Sequence, residues 1–581
     1  MPHYTLTPLP QRHQWQICLQ FDHDTDTPQT IKLANWTPGS YMIRDFCRHI
    51  MSIHAECGGR PVPLEQSAKN IWHTPAQRGH YRIFYTVYAN DLSVRAAYLD
   101  GTRGFISGAA VFLYLPEQQH LPHETIFDGL PGHWQIATAL TRTGQNRFQA
   151  ASYAELIDSP FELGDAIETL EFSANGIPHR IALSGVYPDF DRTRLIEDSR
   201  RICESALNLF PAPAPFEHYL FLLHLGDNIY GGLEHRSSTA LHADRHSLPP
   251  HGTDAPGEAY TRLLGLISHE YFHAWNVKSI RPAAFDPYDL DRENYTEQLW
   301  AFEGITSYYD DLLLARSRTV SPESYLVLLA DTLAAVRQNG GRRLQTLAQS
   351  SFSAWDKYYK QDENSPNAIT SYYRHGALAA LCLDLHIRAH SPHSLDTVMQ
   401  ALYRHSVQHR RGISRIQWQQ IAEEAVGLDL QDFFQAALHT TQELPLEGSL
   451  KTAGLELRWL PQTRNGGRIV SEFPEHAAPA PDLGCRFKQQ DGRARLTQVF
   501  NGGAAENAGL MPQDDIIAVD GLACTDFAAQ TATRPDDTHT LHYFRHGVLA
   551  QTEITVHSAP AHTPFIRIAD RNALLHWLYG G

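Results

Sequence analysis

Residues 266–282 read LISHEYFHAWNVKSIRP, and the fold turns on whether HEYFH within them holds a metal ion. Two histidines at i and i+4, His269 and His273, share one face of a helix and can bind a single ion. Glu270 projects beside that face, placed to take a proton from water whose pKa a zinc ion has lowered to about 7. The five letters alone do not decide the matter, because 33 of the 581 residues are histidine and chance matches accumulate. The flanking residues do more. Leu263, Leu264, Ile267 and Phe272 recur at the spacing of a core helix.

A catalytic zinc requires a third protein ligand and an open position. Glu303 lies 30 residues past His273, in LWAFEGITSYY, among Leu299, Trp300, Phe302 and Ile305. An unpaired carboxylate is costly to bury in such a pattern, and a metal cancels that cost; the alternative is a charge on a solvated helix face. The strand pattern at 219–228 runs into YGGLEHRSS, which sets Glu234 after Gly231 and Gly232. An edge strand of this kind can hold an extended peptide by its backbone while the carboxylate pairs with an amine. Tyr373 heads the helical pattern SYYRHGALAALCLDLHIR and could donate to a developing oxyanion. An amphipathic core position is the ordinary alternative for such a tyrosine, and its neighbour Tyr372 is a second candidate. Asp310 and Glu297 are candidates for holding the other ring nitrogens of the histidines.

Together with LANWTPGSYMIRDFCRHI (33–50) and SVRAAYLDGTRGFISGAAVFLYLPE (93–117), these motifs resemble the glycyl-aminopeptidase family of zinc metallopeptidases. That is metallopeptidase family sixty-one, gluzincins with a thermolysin-like catalytic domain and a PDZ domain, and the resemblance covers nearly the whole chain. It implies one zinc per chain on His269, His273 and Glu303, with Glu270 as the general base that passes its proton to the leaving amine. It implies Glu234 as the amine-binding carboxylate on a strand that includes Gly231 and Gly232, and Tyr373 as the oxyanion donor. Two departures stand out. Leu233 and His235 break the G-x-M-E-N pattern of the large zinc aminopeptidases, and His375 replaces the lysine of their Lys-Gly pair.

Residues 483–521 resemble a bacterial PDZ domain, with Leu483, Gly484, Cys485, Arg486 and Phe487 as the loop whose amides would capture a peptide carboxylate. Cys485 and Gln513 depart from the usual residues of that module. The module either delivers peptide C-termini or packs as structure; the sequence leaves both open.

The expected fold class is multidomain α+β. A β-sandwich-like all-β domain is expected over 1–175, with strands at 80–90 and 109–116 and turn chemistry at 36–41. A thermolysin-like, mainly α zinc-peptidase domain is expected over 176–445, with helices at 191–210, 258–277, 296–316, 322–338, 371–389 and 416–437. The C-terminal region, 446–581, contains the PDZ module at about 483–557, after a turn or linker at 478–484.

A net charge of −16 argues against nucleic acid and anionic lipid as partners, and no apolar run has the length of a membrane span. The N-terminus lacks a basic region followed by an apolar one, and the seven cysteines are scattered without a C-x-x-C. A cytoplasmic location is therefore the expectation. The functional expectation is a zinc aminopeptidase acting on peptides with a free N-terminus, with glycine or alanine first as the resemblance implies. The alternatives are a zinc endopeptidase, a hydrolase of another electrophile such as an epoxide, and a non-catalytic PDZ scaffold.

Overall fold

The computed structural model describes residues 1–253, 255–461, 467–474 and 480–580. Its chain contacts divide it into two compact units, one of residues 1–294, 317–320 and 402–414, the other of 295–316, 321–401 and 415–581. Each is described by itself.

The first unit begins with a β-rich domain. Strands Gln14–His23 and Gly79–Tyr88 pair along their whole length at the middle of an eight-stranded sheet. Trp15, Ile17, Leu19 and Phe21 alternate with polar residues on one strand and Tyr81, Ile83, Tyr85 and Val87 on the other, so each strand buries one face. Four- and three-stranded sheets complete this domain. The strand expected at 109–116 is not formed. Residues Gly108–Ala110 make a 3-10 turn and the rest is buried irregular chain, with one bridge from Tyr114 to Lys32. Three buried tyrosines explain why it tolerates having no ladder. Tyr4, Tyr85 and Tyr153 donate their hydroxyls to the carbonyls of Leu113, Val111 and Phe112 at 2.6, 3.1 and 2.9 Å.

A five-stranded sheet follows in the same unit, in the order Glu168–Ala174, Ile177–Gly185, Tyr219–Gly226, Ser238–Asp244, Gly231–Glu234. The last strand is an edge, antiparallel to its neighbour. Helix Arg192–Leu209 packs on Glu258–Phe272, and the latter lies against the two strands nearest that edge. The second helix stops at Phe272, short of the expected 277. The amides of Val277 and Lys278 both turn back to the His273 carbonyl at 3.0 Å, which folds the chain into tight turns as far as Ile280.

The loop 35–41 of the β domain is tied to residues 285–291, downstream of those turns. The Asn35 amide donates to the Leu290 carbonyl at 2.8 Å and Trp36 Nε1 to that of Asp289 at 2.8 Å, while Tyr41 stacks on Phe285 at 5.7 Å.

The second unit is mainly helical: Ile305–Arg316, Pro322–Arg337, Arg374–His390, Arg415–Val426 and Gln431–His439 are its main helices. The single helix expected at 416–437 is two, because Gly427 takes a left-handed conformation (φ +67°) that ends the first. Before Ile305 the chain makes a π-helical turn, Trp300–Gly304. Strand Leu455–Leu460 pairs with Thr563–Ile568, and the chain ends in helix Arg571–Tyr579. The PDZ module is thus inserted between two strands of one small sheet. Its own core is built from Leu496, Ile516, Phe527, Leu541 and Ile554. Of the turn expected at 478–484, residues 478 and 479 lie outside the described residues, and Pro481–Asp482 is a short strand paired with His557–Ser558. Among the described residues no helix is long and apolar enough to cross a membrane.

Candidate metal centre and peptide site

His269 and Glu270 lie in the last turn of helix Glu258–Phe272, and His273 caps it. The Nε2 atoms of His269 and His273 are 3.1 Å apart. His273 Nδ1 lies 2.6 Å from the Asn276 carbonyl, which can only accept, so Nδ1 carries the proton and Nε2 keeps its lone pair. Two imidazole nitrogens converging in this way, with the tautomer fixed from behind, are a donor pair suited to zinc. The carbonyl that holds His273 comes from the motif itself. Of the two carboxylates considered for the histidines' other ring nitrogens, Glu297 pairs with Arg415 at 3.5 Å, and the Asp310 carboxylate accepts from the Asp311 amide at 2.6 Å.

The edge strand brings Glu234 to the same place. One ligand-type atom each from Glu234, Glu270 and His273 lie within 4.8 Å of one another. The two glycines before Glu234 are there for clearance. A Cβ on Gly232 would stand 2.0 Å from a Glu270 carboxylate oxygen, so only glycine lets the strand pass the glutamate. Glu234 itself is 4 % exposed, and its Oε1 has no hydrogen-bond partner among the described residues. Gly39, from the loop tied to 285–291, lies against the other side of this carboxylate: a Cβ there would meet both its oxygens at 2.5 and 2.6 Å. The departures from G-x-M-E-N have local reasons. Leu233 fills a small core with Val94, Phe105 and Ala240, and His235 Nδ1 lies 3.2 Å from Asp158.

Asp158 also accepts from the Arg236 amide at 2.9 Å and pairs with Lys278 at 2.7 Å. Lys278 belongs to the W-N-V-K motif and is 7 % exposed. Burial alone would lower its pKa, but the negative charge of Asp158, with Tyr288 and Glu234 adding to it, holds the ammonium above its ordinary range. Burial would raise Asp158, yet Lys278 and His235 together bring it well below the usual carboxylate range. An ion pair with a buried lysine and a partly exposed aspartate therefore stands near Glu234. Sequence reasoning missed it, along with Gly39; the available signal was a lysine between Val277 and Ile280, both of which bury.

In the second unit Glu303 sits in the π-helical turn and is 2 % exposed, with Leu299, Trp300, Phe302 and Ile305 buried around it. Turns of this kind recur at functional sites. Its neighbour Gly304 meets Gly376 backbone to backbone, where a Cβ on Gly304 would fall 2.6 Å from the Gly376 Cα. That crossing draws the Tyr372–Tyr373 segment to Glu303. Tyr372 is fully buried, and burial first, then the charges of Tyr359 and Glu303, push its hydroxyl well above its ordinary pKa. Tyr373 is half-buried, with its hydroxyl 3.5 Å from that of Tyr359.

In the PDZ module Gly484 turns with φ +66° against Gly503, the Gly484 carbonyl accepts from the Phe500 amide at 2.8 Å, and Leu483 and Cys485 pack on the core. Arg486 lies over the Phe500 ring and Phe487 edge-on to Phe527 at 5.0 Å. Gln489 spans from the strand Cys485–Gln490 to the helix Phe527–Gln530, donating to the Cys524 carbonyl at 3.0 Å and accepting from the Phe527 amide at 3.1 Å. The module is fastened at Asn367, whose side chain donates to the Val499 carbonyl and accepts from the Asn501 amide at 2.8 and 3.1 Å.

A histidine pair with an adjacent carboxylate, on a helix lying against an edge strand, defines a metallopeptidase. Residues 3–165 match the model of the peptidase M61 N-terminal domain, 262–379 that of M61 glycyl aminopeptidase and 481–556 that of a PDZ domain. The crystal structure of an aminopeptidase N family protein from Idiomarina loihiensis is similar over 100% of both chains, at 37% identity and a TM-score of 0.94. An M1 zinc metallopeptidase from Deinococcus radiodurans, in a mutant bound to a Tyr-Ser-Ala substrate, matches 76% of this chain and 95% of its own, at 16% identity and a TM-score of 0.48. No curated protein matches the sequence. The chain belongs to the M61 glycyl aminopeptidase family and is a metallo-aminopeptidase, with an N-terminal β-rich domain and a PDZ domain.

Proposed function

We propose that this enzyme is a zinc aminopeptidase that releases a small first residue, glycine or alanine, from peptides with a free N-terminus. The observation that carries the reading is Glu234, a buried carboxylate with an unpartnered oxygen at the end of an edge strand, beside Glu270 and His273. A substrate ammonium is the group that would complete it. Gly39 against the same carboxylate leaves little room beside the amine, which favours a small first side chain.

His269 and His273 would hold the metal, and Glu303 is the third ligand in this reading, supported by its burial and its π-helical turn. Bound Zn²⁺ would polarise the scissile carbonyl and acidify water. Glu270 takes the proton from the attacking water and returns it to the leaving amine. The edge strand aligns the peptide backbone, and Tyr373, the more exposed of the two tyrosines, donates to the oxyanion. The Lys278 ammonium, paired with Asp158, sets a positive charge close to Glu234.

The test is hydrolysis of glycyl and alanyl p-nitroanilides, free and N-acetylated, with and without a zinc chelator. Chelator-sensitive cleavage of the free substrates alone is expected. Equal cleavage of acetylated substrates would make the enzyme an endopeptidase, and no cleavage by zinc-loaded protein would leave a PDZ scaffold.

A further inference from the structure

Beside the edge strand lies a cation that the reaction just described does not use. Arg95, from the SVRAAYLDGTRGF motif, reaches the edge strand and donates from a terminal nitrogen to the Gly232 carbonyl at 3.3 Å. Its other terminal nitrogen is the nearest group to the space over Gly231, 3.9 Å from where a Cβ would stand. Its Nε is buried without a hydrogen-bond partner, and among the described residues no carboxylate pairs with it. Two other arginines of this unit show the contrast. Arg103 makes a bidentate pair with Glu162 at 2.6 and 2.9 Å, and Arg245 meets Asp227 at 2.6 Å. His242, the register partner of Gly231, supplies no counter-charge either: burial, then Arg103 and Arg95, hold it neutral. A partly buried guanidinium with no anion beside it is a place prepared for one.

The direction of the peptide decides which anion arrives. Beyond Glu234 the strand is closed by His235, Asp158 and Lys278, with His235 and Lys278 at 1 and 7 % exposed. A peptide whose ammonium sits on Glu234 must therefore run back past Gly232 toward Gly231. Strand residues advance about 3.3 Å each, and two extended residues span about 7 Å, so the end of the second residue comes abreast of Arg95.

We propose that Arg95 binds the carboxylate of the substrate's second residue, so that dipeptides with a free C-terminus are preferred substrates. This rests on the aminopeptidase reading, with the ammonium at Glu234. In longer peptides the same guanidinium meets a neutral carbonyl in place of a carboxylate and gains less.

The test compares kcat/KM for Ala-Ala and Ala-Ala-amide, with alanyl p-nitroanilide as reference, in the zinc-loaded full-length enzyme. The wild type is expected to prefer the free acid by about tenfold or more, mainly through KM. In Arg95→Gln the acid-to-amide ratio should fall close to one, and Arg95→Lys, which keeps the charge and loses the fork, should keep part of it. A wild-type ratio at or below one, or an unchanged ratio in Arg95→Gln, would overturn the proposal. If Arg95→Gln is insoluble, the ratio in Arg95→Lys decides, and no change there is likewise negative. Wild-type enzyme inert toward the anilide would remove the aminopeptidase reading and Arg95's role with it. Anilide turnover without any preference for the acid would remove Arg95's role alone.

Discussion

Gly232 and Glu270 approach so closely that a Cβ on the glycine would lie 2.0 Å from a carboxylate oxygen of the glutamate. The edge strand and the helix that carries Glu270 are therefore fitted to each other at one atom. Gly232→Ala should displace Glu270 or the strand and lower kcat/KM by on the order of 100-fold, while both histidines still bind metal. Steady-state kinetics alongside metal analysis checks this; full activity would mean the contact is loose.

Glu270→Gln keeps the size and removes the base. Zinc content should be unchanged and turnover should fall by about 10²–10⁴-fold. Glu303→Ala should behave in the opposite way and purify with little zinc. Stoichiometric zinc in that variant would show that another residue is the third ligand.

Asp158→Asn would leave the Lys278 ammonium buried without its counter-charge. A destabilisation of about 3 kcal/mol is expected, read from the urea midpoint, because removing one partner of a buried pair costs more than the pair contributes. KM for free-amine substrates should rise as well, since the released ammonium then competes for Glu234. Wild-type stability and KM together would show that the pair is incidental to the site.

Three buried histidines and two half-buried ones make the protein acid-labile. Burial is the first cause in each: His123, His179 and His375 are pulled down to about 4, His242 to about 3 and His224 to about 2. An unfolded histidine titrates near 6.5. The folded pKa lies below the unfolded one, so the unfolded chain takes up protons first as pH falls. This stabilisation is complete above about pH 6.5 and is lost as pH drops toward the folded values, about 2 kcal/mol per ring by pH 5. The melting temperature should therefore fall between pH 7 and pH 5, and less so in His224→Gln. A flat profile would contradict the burial of these rings.

Removing residues 559–581 should give insoluble protein. It takes away strand Thr563–Ile568 and helix Arg571–Tyr579, whose Trp577 is buried against Tyr325 and donates to Asp384 at 3.2 Å. Excising 483–556 and joining the short strands at its neck should leave dipeptide turnover unchanged, because the insertion brings its own core. Insolubility of the second deletion as well would mean that the Asn367 fastening is indispensable.

Much of this candidate site was legible because the residues proposed to carry its chemistry are neighbours in sequence. His269, Glu270 and His273 are one helical turn, and Glu234 ends a strand announced by its apolar run. Glu303 was marked by the apolar residues that bury it. What could not be read are contacts between distant segments. Gly39 against Glu234, Arg95 on Gly232 and Asp158 on Lys278 depend on how the β domain closes on the sheet, and no local periodicity encodes that. The strand expected at 109–116 failed for the same reason, since three tyrosines from elsewhere took up its carbonyls. The π-helical turn at Trp300–Gly304 has no residue-type signature at all.

The pairing of Leu455–Leu460 with Thr563–Ile568 has a bearing on the order of folding. The PDZ module lies between these two strands in sequence and has a core of its own, so it can fold as soon as its own residues are made. The small sheet and the packing of Trp577 on Asp384 must wait for the segment beyond the module. The module is thus a folded spacer across which the helical unit has to be closed.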